Sequence, residues 1–179
     1  INGNLAAMLS IIGIVAMVMV AGGFHYKHKY REELSIATEK PLEQQCIKVV
    51  LASDLHIGYS NRKAELARWV DMINAEHPDL VLFGGDIVDI AAKPLFDGNY
   101  AQEFRRLEAP AYAVMGNHEY IAGAEDSERF LADAGITLLK DSVAHFKGID
   151  IIGRDDRSNP SRPALWEYAS SLNGFTIHL

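Results

Sequence analysis

The chain has 179 residues, a formal net charge of −7 and a single cysteine, Cys46. This length accommodates one membrane segment and one compact domain, but not two full catalytic domains. An apolar fraction of 49%, with interspersed charges, is typical of a globular protein rather than of a disordered or collagen-like chain. The negative charge argues against nucleic acid as a bulk partner, because phosphate backbones are held mainly by Lys and Arg. One cysteine excludes an internal disulfide framework.

The first element in the chain is an uncharged apolar segment from Leu5 to Phe24. About 20 such residues are what a helix needs to cross a bilayer, so we predict a transmembrane segment over residues 1–25. A signal peptide is the alternative, although its apolar region is usually shorter, at about 7 to 15 residues. Basic residues follow at Lys27, Lys29 and Arg31. Since such residues tend to stay cytoplasmic, they favour a membrane protein whose domain lies in the cytoplasm.

A polar linker is predicted over residues 26–45 and a folded domain over residues 46–179. Three short apolar runs follow one another in this domain, at residues 47–53, 79–85 and 111–117. Each run ends at polar or glycine residues, which is typical of a buried strand.

Helical patterns separate these runs, with an apolar stripe in residues 62–77 and a shorter candidate at 99–107. The alternation is that of βαβ units, so we expect an α/β fold with parallel strands. Farther along, residues 124–134 predict a helix and residues 136–153 a stretch of antiparallel strands. Residues 163–172 indicate another helix, and the sequence FTIHL the opening of one more strand.

Metal-competent side chains follow each of the three apolar runs. In open α/β sheets the functional residues lie just beyond the carboxyl ends of the strands. Asp54 and His56 follow the first run and, if the segment is extended, face the same way and can bind one ion. Asp86 follows the second run, where a carboxylate could bridge two metals. Asn117 and His118 follow the third run as an amide ligand and a candidate proton donor.

Each of these signals is ambiguous when taken singly. The pattern Asp-x-His arises by chance, and an Asp after a strand is commonly a turn residue or a helix cap. Here three blocks of oxygen and nitrogen ligands occur in order, each at the end of a predicted strand. Their joint occurrence favours a metal site.

The sequences SDLHIG, GGDIVD and GNHE resemble the three N-terminal signature blocks of the calcineurin-like metallophosphoesterases. The resemblance spans residues 47–119, and the membrane segment with the DLHIG form is similar to membrane-associated bacterial members. It implies that Asp54 and His56 bind a first metal, that Asp86 bridges both metals and that Asn117 binds the second.

The same resemblance implies catalytic roles for two further side chains. His118 would contact the scissile phosphate or protonate the leaving group, and Asp89 would orient His118. The implied fold is a four-layer α/β/β/α sandwich. Family members supply further histidines from a C-terminal half, beyond the strand that FTIHL resembles, so the predicted domain is truncated. His178 is expected within that strand rather than among the ligands.

The implied chemistry is that of a two-metal hydrolase. Two divalent ions about 3.5 to 4 Å apart activate a water and neutralise phosphate oxygens. Mixed Asp, His and Asn ligands favour Mn, Fe or Zn. The predicted function is metal-dependent hydrolysis of a phosphoester or pyrophosphate bond, with a lipid- or nucleotide-linked substrate as in some relatives. The alternative is a membrane-tethered, non-catalytic binding or scaffold protein with the same fold.

A charged segment, residues 154–157 with the sequence RDDR, follows the apolar residues Ile151 and Ile152. Two interpretations remain open for it, a substrate contact in the cleft and a solvated turn. It is not included in the predicted catalytic set.

Overall fold

The computed structural model describes residues 2–157 and 159–179. The chain separates into two compact units, a first that ends at Ala37 and a second, Thr38–Leu179. The first unit is dominated by helix α1, Asn2–Lys27. Within it, Asn4–Tyr26 is long and apolar enough to cross a membrane by length and composition, with a mean hydropathy of 2.5. The predicted apolar N-terminal helix is therefore confirmed, and residue 1 of the predicted segment lies outside the described residues.

The second unit is built on a four-stranded parallel sheet in the order β1-β2-β3-β4. Its strands are β1 (Val49–Ala52), β2 (Leu80–Phe83), β3 (Ala111–Ala113) and β4 (Thr137–Leu138). The helices along the chain are α2 (Lys63–Ala75), α3 (Lys93–Asp97), α4 (Ala101–Phe104), α5 (Asn117–Ala122) and α6 (Ala124–Asp133). This alternation confirms the predicted α/β fold with parallel strands.

Strand β2 is buried on both faces. Because successive side chains of a strand point to opposite sides of the sheet, its residues belong to two different cores. Val81 and Phe83 belong to the core that also contains the buried apolar residues of α2, α4 and α6. In that core the Phe83 and Phe104 rings meet edge to face with centroids 5.6 Å apart. Leu80 and Leu82 belong to a second core on the opposite face of the strand. A fully buried side chain of this size contributes about 1.5 to 3 kcal/mol.

A second sheet covers the other face of the first. Its strands are β5 (Ser142–Phe146), β6 (Ile149–Gly153) and β7 (Phe175–His178). Strands β5 and β6 form an antiparallel hairpin, and β7 pairs with β6 in parallel. Ile149 and Ile151 of β6 share the second core with Leu80 and Leu82 of β2. The described layers therefore run helices, parallel sheet, second sheet.

The structure departs from the sequence prediction in three elements. The first strand of the stretch 136–153 is β4, which pairs in parallel with β3 instead of joining the hairpin. Helix α6 lies between β3 and β4 and returns the chain, so that β4 runs in the same direction as β3. The predicted helix at 163–172 is a 3-10 helix, Leu165–Ser171. The polar residues after β3 form helix α5 instead of continuing the strand to residue 117.

Candidate metal centre

The loops after β1 and β2 run side by side beyond the end of the sheet. The Asp54 N–H donates to the Gly85 carbonyl at 3.1 Å, and the His56 N–H donates to the Asp86 carbonyl at 3.0 Å. The Ile57 N–H continues the pattern with a 2.8 Å hydrogen bond to the Ile87 carbonyl. The ladder of hydrogen bonds thus extends into the loops and fixes the residues that carry the metal-competent side chains.

Three of those residues have a left-handed backbone conformation. The φ angles are 57° at Asp54, 43° at His56 and 51° at Asp86. This conformation costs about 1 to 2 kcal/mol for a residue with a Cβ atom. The expectation that Asp54 and His56 share an extended segment is therefore wrong, because both backbones turn at these positions. Strained residues of this kind concentrate at functional sites, where the surrounding hydrogen bonds hold them.

His56, Asp86 and His118 converge from the ends of the three strands. Each offers a ligand atom, and these atoms all lie within 4.8 Å of one another. The rings of His56 and His118 meet edge to face, with centroids 4.4 Å apart. All three residues are partly buried. Imidazole nitrogens and a carboxylate oxygen are ligands that Zn, Mn and Fe accept, so the donor set fits a divalent metal.

The two remaining predicted ligands border this cluster. One carboxylate oxygen of Asp54, Oδ1, lies 4.0 Å from His56 Nε2, and the side chain is 68% exposed. Its other oxygen, Oδ2, accepts a 2.6 Å hydrogen bond from the Ser53 hydroxyl. Asn117 is exposed and is the first residue of α5, directly before His118. The assignment of these residues as metal ligands stays a prediction.

His118 is held by the loop after β2. Its Nδ1 lies 3.0 Å from the Asp89 main-chain carbonyl, but 3.9 Å from the carboxylate oxygen Oδ1 of the same residue. The other carboxylate oxygen of Asp89 accepts hydrogen bonds from the N–H and hydroxyl of Ser60, at 3.1 and 2.7 Å. Asp89 is thus beside His118, but its carbonyl makes the hydrogen-bond contact with the ring, while its carboxylate anchors Ser60. The role of Asp89 in orienting His118 stays a prediction.

Glu119, the last residue of the motif GNHE, has a structural function that the sequence analysis did not assign. The side chain is fully buried, and its two oxygens accept hydrogen bonds from three main-chain N–H groups. The donors are Asp86 at 3.0 Å, Val88 at 2.8 Å and Gly116 at 2.7 Å. Burial raises the pKa of the Glu119 carboxyl, although the three hydrogen bonds act in the opposite direction. One carboxyl group therefore joins the loops that carry Asp86 and His118.

Two glycines allow these loops to approach closely. A Cβ atom at Gly116 would overlap the Asp86 carboxylate, and a Cβ atom at Gly85 would lie 2.8 Å from the Gly116 nitrogen. Gly85 also has a φ of +92°, which side chains rarely adopt. The small size of both residues lets the Asp86 carboxylate accept the His118 N–H at 3.0 Å.

Helix α5 is also tied to the segment after β6. The Tyr120 hydroxyl lies 2.6 Å from both carboxylate oxygens of Asp155, which is 1% exposed. Burial, and then the hydrogen bond to Asp155, raise the pKa of Tyr120 to about 12. The charged segment 154–157 is thus fixed next to the helix that carries His118. The sequence RDDR by itself did not reveal this position.

Known proteins with similar sequences or folds include both bacterial and animal chains. A crystal structure of a 5′-nucleotidase precursor from Thermus thermophilus superposes with a TM-score of 0.49 at 16% identity, over 74% of this chain and 36% of that chain. A metallophosphoesterase of Aquifex aeolicus (strain VF5), itself uncharacterized, is 33% identical over 73% of this chain and 50% of its own length. A zebrafish (Danio rerio) transmembrane protein with a metallophosphoesterase domain is 31% identical over 63% of this chain and 26% of its own length.

The chain thus spans half or less of the length of these curated relatives. The family model of the calcineurin-like phosphoesterases matches residues 47–175, which is well over half of the chain. That span contains the sheet, the strained loops and the cluster of His56, Asp86 and His118. The chain belongs to the calcineurin-like phosphoesterase family.

Proposed function

We propose that this domain hydrolyses a phosphoester or pyrophosphate bond at a centre that holds two divalent metals. The observation that carries the proposal is the convergence of His56, Asp86 and His118 from three strand ends, two of them on left-handed backbone. A purely structural turn does not require two histidines and an aspartate with ligand atoms within 4.8 Å. The membership of the family supports phosphoester chemistry at this position.

The proposed roles follow the positions of the side chains. Asp54 and His56 would hold the first metal, Asp86 would contribute to both metals, and Asn117 would hold the second. Mn, Fe and Zn are the divalent ions that suit this donor set. The ions would supply an activated water and neutralise phosphate oxygens. His118 contacts the scissile phosphate or gives its proton to the leaving group. The Asp89 carbonyl, 3.0 Å from His118 Nδ1, holds the ring in the orientation that this role requires.

The proposed location is a membrane surface. Asn4–Tyr26 anchors the protein, the following polar segment is a linker, and residues 46–179 belong to the catalytic domain. The basic residues after the apolar helix favour the cytoplasmic side. A lipid- or nucleotide-linked phosphoester suits an enzyme that is held at this surface.

The test is a metal-dependent hydrolysis assay with the full-length protein. The protein is freed of metal with a chelator, supplied with Mn²⁺ and assayed with p-nitrophenyl phosphate and bis-p-nitrophenyl phosphate. We expect turnover that needs the metal and that Asp86→Asn and His118→Ala each lower by at least about a hundredfold. Asp97→Asn, which removes an exposed carboxylate from α3, is the charge-matched control and should keep full activity.

The opposite outcome identifies the alternative function. A folded protein that binds no metal and hydrolyses neither ester contradicts the proposal and favours a non-catalytic binding or scaffold protein. Turnover that survives Asp86→Asn would place the reaction at a different site.

A further inference from the structure

Helix α5, which carries His118, has only six residues, from Asn117 to Ala122. Isolated helices shorter than about 12 to 15 residues are marginal in water, so the position of α5 depends on its contacts with the rest of the domain. Hydrogen bonds to the loop after β2 hold its first turn. The His118 N–H donates to the Asp86 carboxylate at 3.0 Å, and the Glu119 carboxylate accepts the Val88 N–H at 2.8 Å.

The other side of α5 is held by Tyr120. Residues two apart in a helix do not face the same way, so Tyr120 and His118 point to different sides of α5. The Tyr120 hydroxyl lies 2.6 Å from both carboxylate oxygens of Asp155. A hydrogen bond of this length from a hydroxyl to a carboxylate is charge-assisted and about twice as strong as a neutral one. Tyr120 therefore attaches α5 to the segment that follows β6 of the second sheet.

Asp155 is a fixed point for this contact. It is 1% exposed, and its carboxylate also accepts the Asp156 N–H and Asn159 Nδ2, each at 2.9 Å. Its main chain is held as well, because its N–H donates to the Asp141 carboxylate at 3.1 Å and its carbonyl accepts from Arg162 Nη1 at 2.9 Å. An acceptor that is held at both its side chain and its main chain sets the position of the helix that donates to it.

We propose that Tyr120 is a positioning residue for the phosphoester reaction and acts through His118. Its hydroxyl, held by Asp155, fixes the rotation of α5 and with it the His118 ring, whose Nδ1 lies 3.0 Å from the Asp89 carbonyl. A buried charge adds little net stability, because desolvation offsets its attractions, but its hydrogen bonds impose one geometry. A displacement of about 1 Å at a reacting group costs up to about a hundredfold in rate. The inference rests on the proposed function for the role of His118.

The first test is a double-mutant cycle in the full-length protein, with Mn²⁺ and p-nitrophenyl phosphate. Tyr120→Phe keeps the ring and removes only the hydroxyl. We expect a folded protein with unchanged metal content, a kcat about tenfold lower and a KM within about twofold of the wild type. In the His118→Ala background the same substitution should lower kcat by less than about twofold, because its effect passes through that ring. Equal losses in both backgrounds, or full activity of Tyr120→Phe, overturn the inference.

Two further variants accompany this cycle. Tyr112→Phe makes the same chemical change at a partly buried tyrosine of β3 and should keep the kcat of the wild type. Asp155→Asn changes the other partner of the contact and decides the inference if Tyr120→Phe does not fold. We expect it to lower kcat at least about threefold, and by less than about twofold in the His118→Ala background. Equal losses of Asp155→Asn in both backgrounds refute the inference.

The second test separates this inference from the proposed function, because it needs no turnover. The full-length protein with ¹⁵N-labelled histidine is supplied with Zn²⁺, and its imidazole signals are recorded by NMR. The His118 signal is the one that is lost in His118→Ala. We expect Tyr120→Phe to shift this signal and to leave that of His145 on β5 in place, and Tyr112→Phe to leave both in place.

An unshifted His118 signal in Tyr120→Phe refutes the inference. If the wild type hydrolyses no ester, the proposed function fails, and the NMR comparison still decides whether Tyr120 positions the His118 ring.

Discussion

The imidazole ring of His118 is held by a main-chain carbonyl rather than by a carboxylate. The Asp89 carbonyl lies 3.0 Å from its Nδ1, whereas the nearest carboxylate oxygen of the same residue lies 3.9 Å away. A carbonyl can only accept, so this contact requires a proton on Nδ1 and leaves Nε2 for the metal centre or the substrate. The tautomer of the ring therefore depends on the path of the loop after β2.

This geometry predicts different results for two substitutions. Asp89→Asn keeps the main-chain carbonyl. It removes the negative charge of the carboxylate, whose Oδ2 accepts the two hydrogen bonds from Ser60. We expect kcat to fall by no more than about tenfold, whereas His118→Ala lowers it by about a hundredfold or more. Steady-state kinetics with p-nitrophenyl phosphate measures both effects. If Asp89→Asn loses as much activity as His118→Ala, the carboxylate and not the carbonyl orients the ring.

Glu119 joins two loops through a buried carboxyl group. Its oxygens accept three main-chain hydrogen bonds, so Glu119→Gln places an amide NH₂ donor against N–H donors. We expect the free energy of unfolding to fall by about 1 to 3 kcal/mol, together with weaker metal binding. Urea unfolding and a metal titration measure these two quantities.

The control for this substitution is Glu125→Gln. Glu125 is exposed in the first turn of α6, so the same chemical change should cost less than about 0.5 kcal/mol. Equal stability of Glu119→Gln and Glu125→Gln would contradict the joining function of Glu119.

The positions of Asp54, His56 and Asp86 at strand ends could be predicted from the sequence, but their backbone conformation could not, and their roles as metal ligands stay predictions. Asp54, His56 and Asp86 follow apolar runs, and strand ends are where α/β proteins place functional side chains. Their positive φ angles depend on hydrogen bonds between two loops that are about 30 residues apart in the chain, such as His56 N–H to the Asp86 carbonyl. The local sequence favours negative φ angles for residues with a Cβ atom.

At the scale of elements, the site depends on how closely the loops after β2 and β3 approach. Gly116 meets Asp86 where a Cβ atom would overlap the carboxylate. We expect Gly116→Ala to displace that carboxylate, with a stability cost of about 1 to 3 kcal/mol and metal affinity reduced by at least about tenfold. Metal titration by calorimetry and thermal unfolding measure the two effects.

Gly135→Ala separates a general loss of stability from damage to the site. Gly135 has a φ of +76° and open space around its Cα, so alanine there costs backbone strain alone. We expect this variant to be destabilised but to bind metal with unchanged affinity. The element-scale account is contradicted if Gly116→Ala binds metal as tightly as the wild type.

Local sequence patterns predicted the central strands and helices. They did not predict strand pairing between residues that are far apart in the chain. Strand β2 is an uninterrupted apolar run because both of its faces are buried, and the predicted helix is α2, whose buried residues are Leu66, Val70 and Ile73. The two residues of β4 carry no comparable signal, and their pairing with β3 becomes possible only after α6 has returned the chain. The segment 154–157 is fixed by an equally non-local contact, between Asp155 and the Tyr120 hydroxyl of α5, so the sequence RDDR left two interpretations open.

At the scale of the whole molecule, Asp79 connects three distant parts of the second unit. Its carboxylate accepts hydrogen bonds from the Lys48 N–H, Gln44 Nε2 and Lys147 Nζ, each at 2.9 Å. These contacts lower the pKa of Asp79 to about 2, and the hydrogen bond from the Lys48 N–H has the largest effect on it. They join the segment before β1, the loop before β2 and the hairpin turn of the second sheet.

This network predicts a pH-dependent stability. Because the pKa of Asp79 is lowered in the folded state, its contribution is complete above the ordinary value of 3.8 and is lost as the pH falls through about 2. We expect Asp79→Asn to lower the free energy of unfolding by about 1 to 2 kcal/mol at pH 7 and to flatten its decline between pH 4 and 2. Urea unfolding across this pH range measures both effects.

The control for this prediction is Asp126→Asn, which removes an exposed carboxylate paired with Arg129 at 3.0 Å. A surface pair of this kind contributes at most about 1 kcal/mol, so the control should retain the pH dependence of the wild type. If Asp79→Asn has the same pH dependence as the wild type, Asp79 does not join the three segments in solution.

The most direct test of the dinuclear centre is the metal content of the full-length protein. After equilibration with Mn²⁺ and removal of free metal by gel filtration, mass spectrometry of the elements gives the number of Mn atoms per chain. The proposed site predicts about two for the wild type and for Asp97→Asn, and no more than about one for Asp86→Asn. A folded wild-type protein that retains no metal, or an Asp86→Asn variant that retains two, would contradict the assignment of the centre.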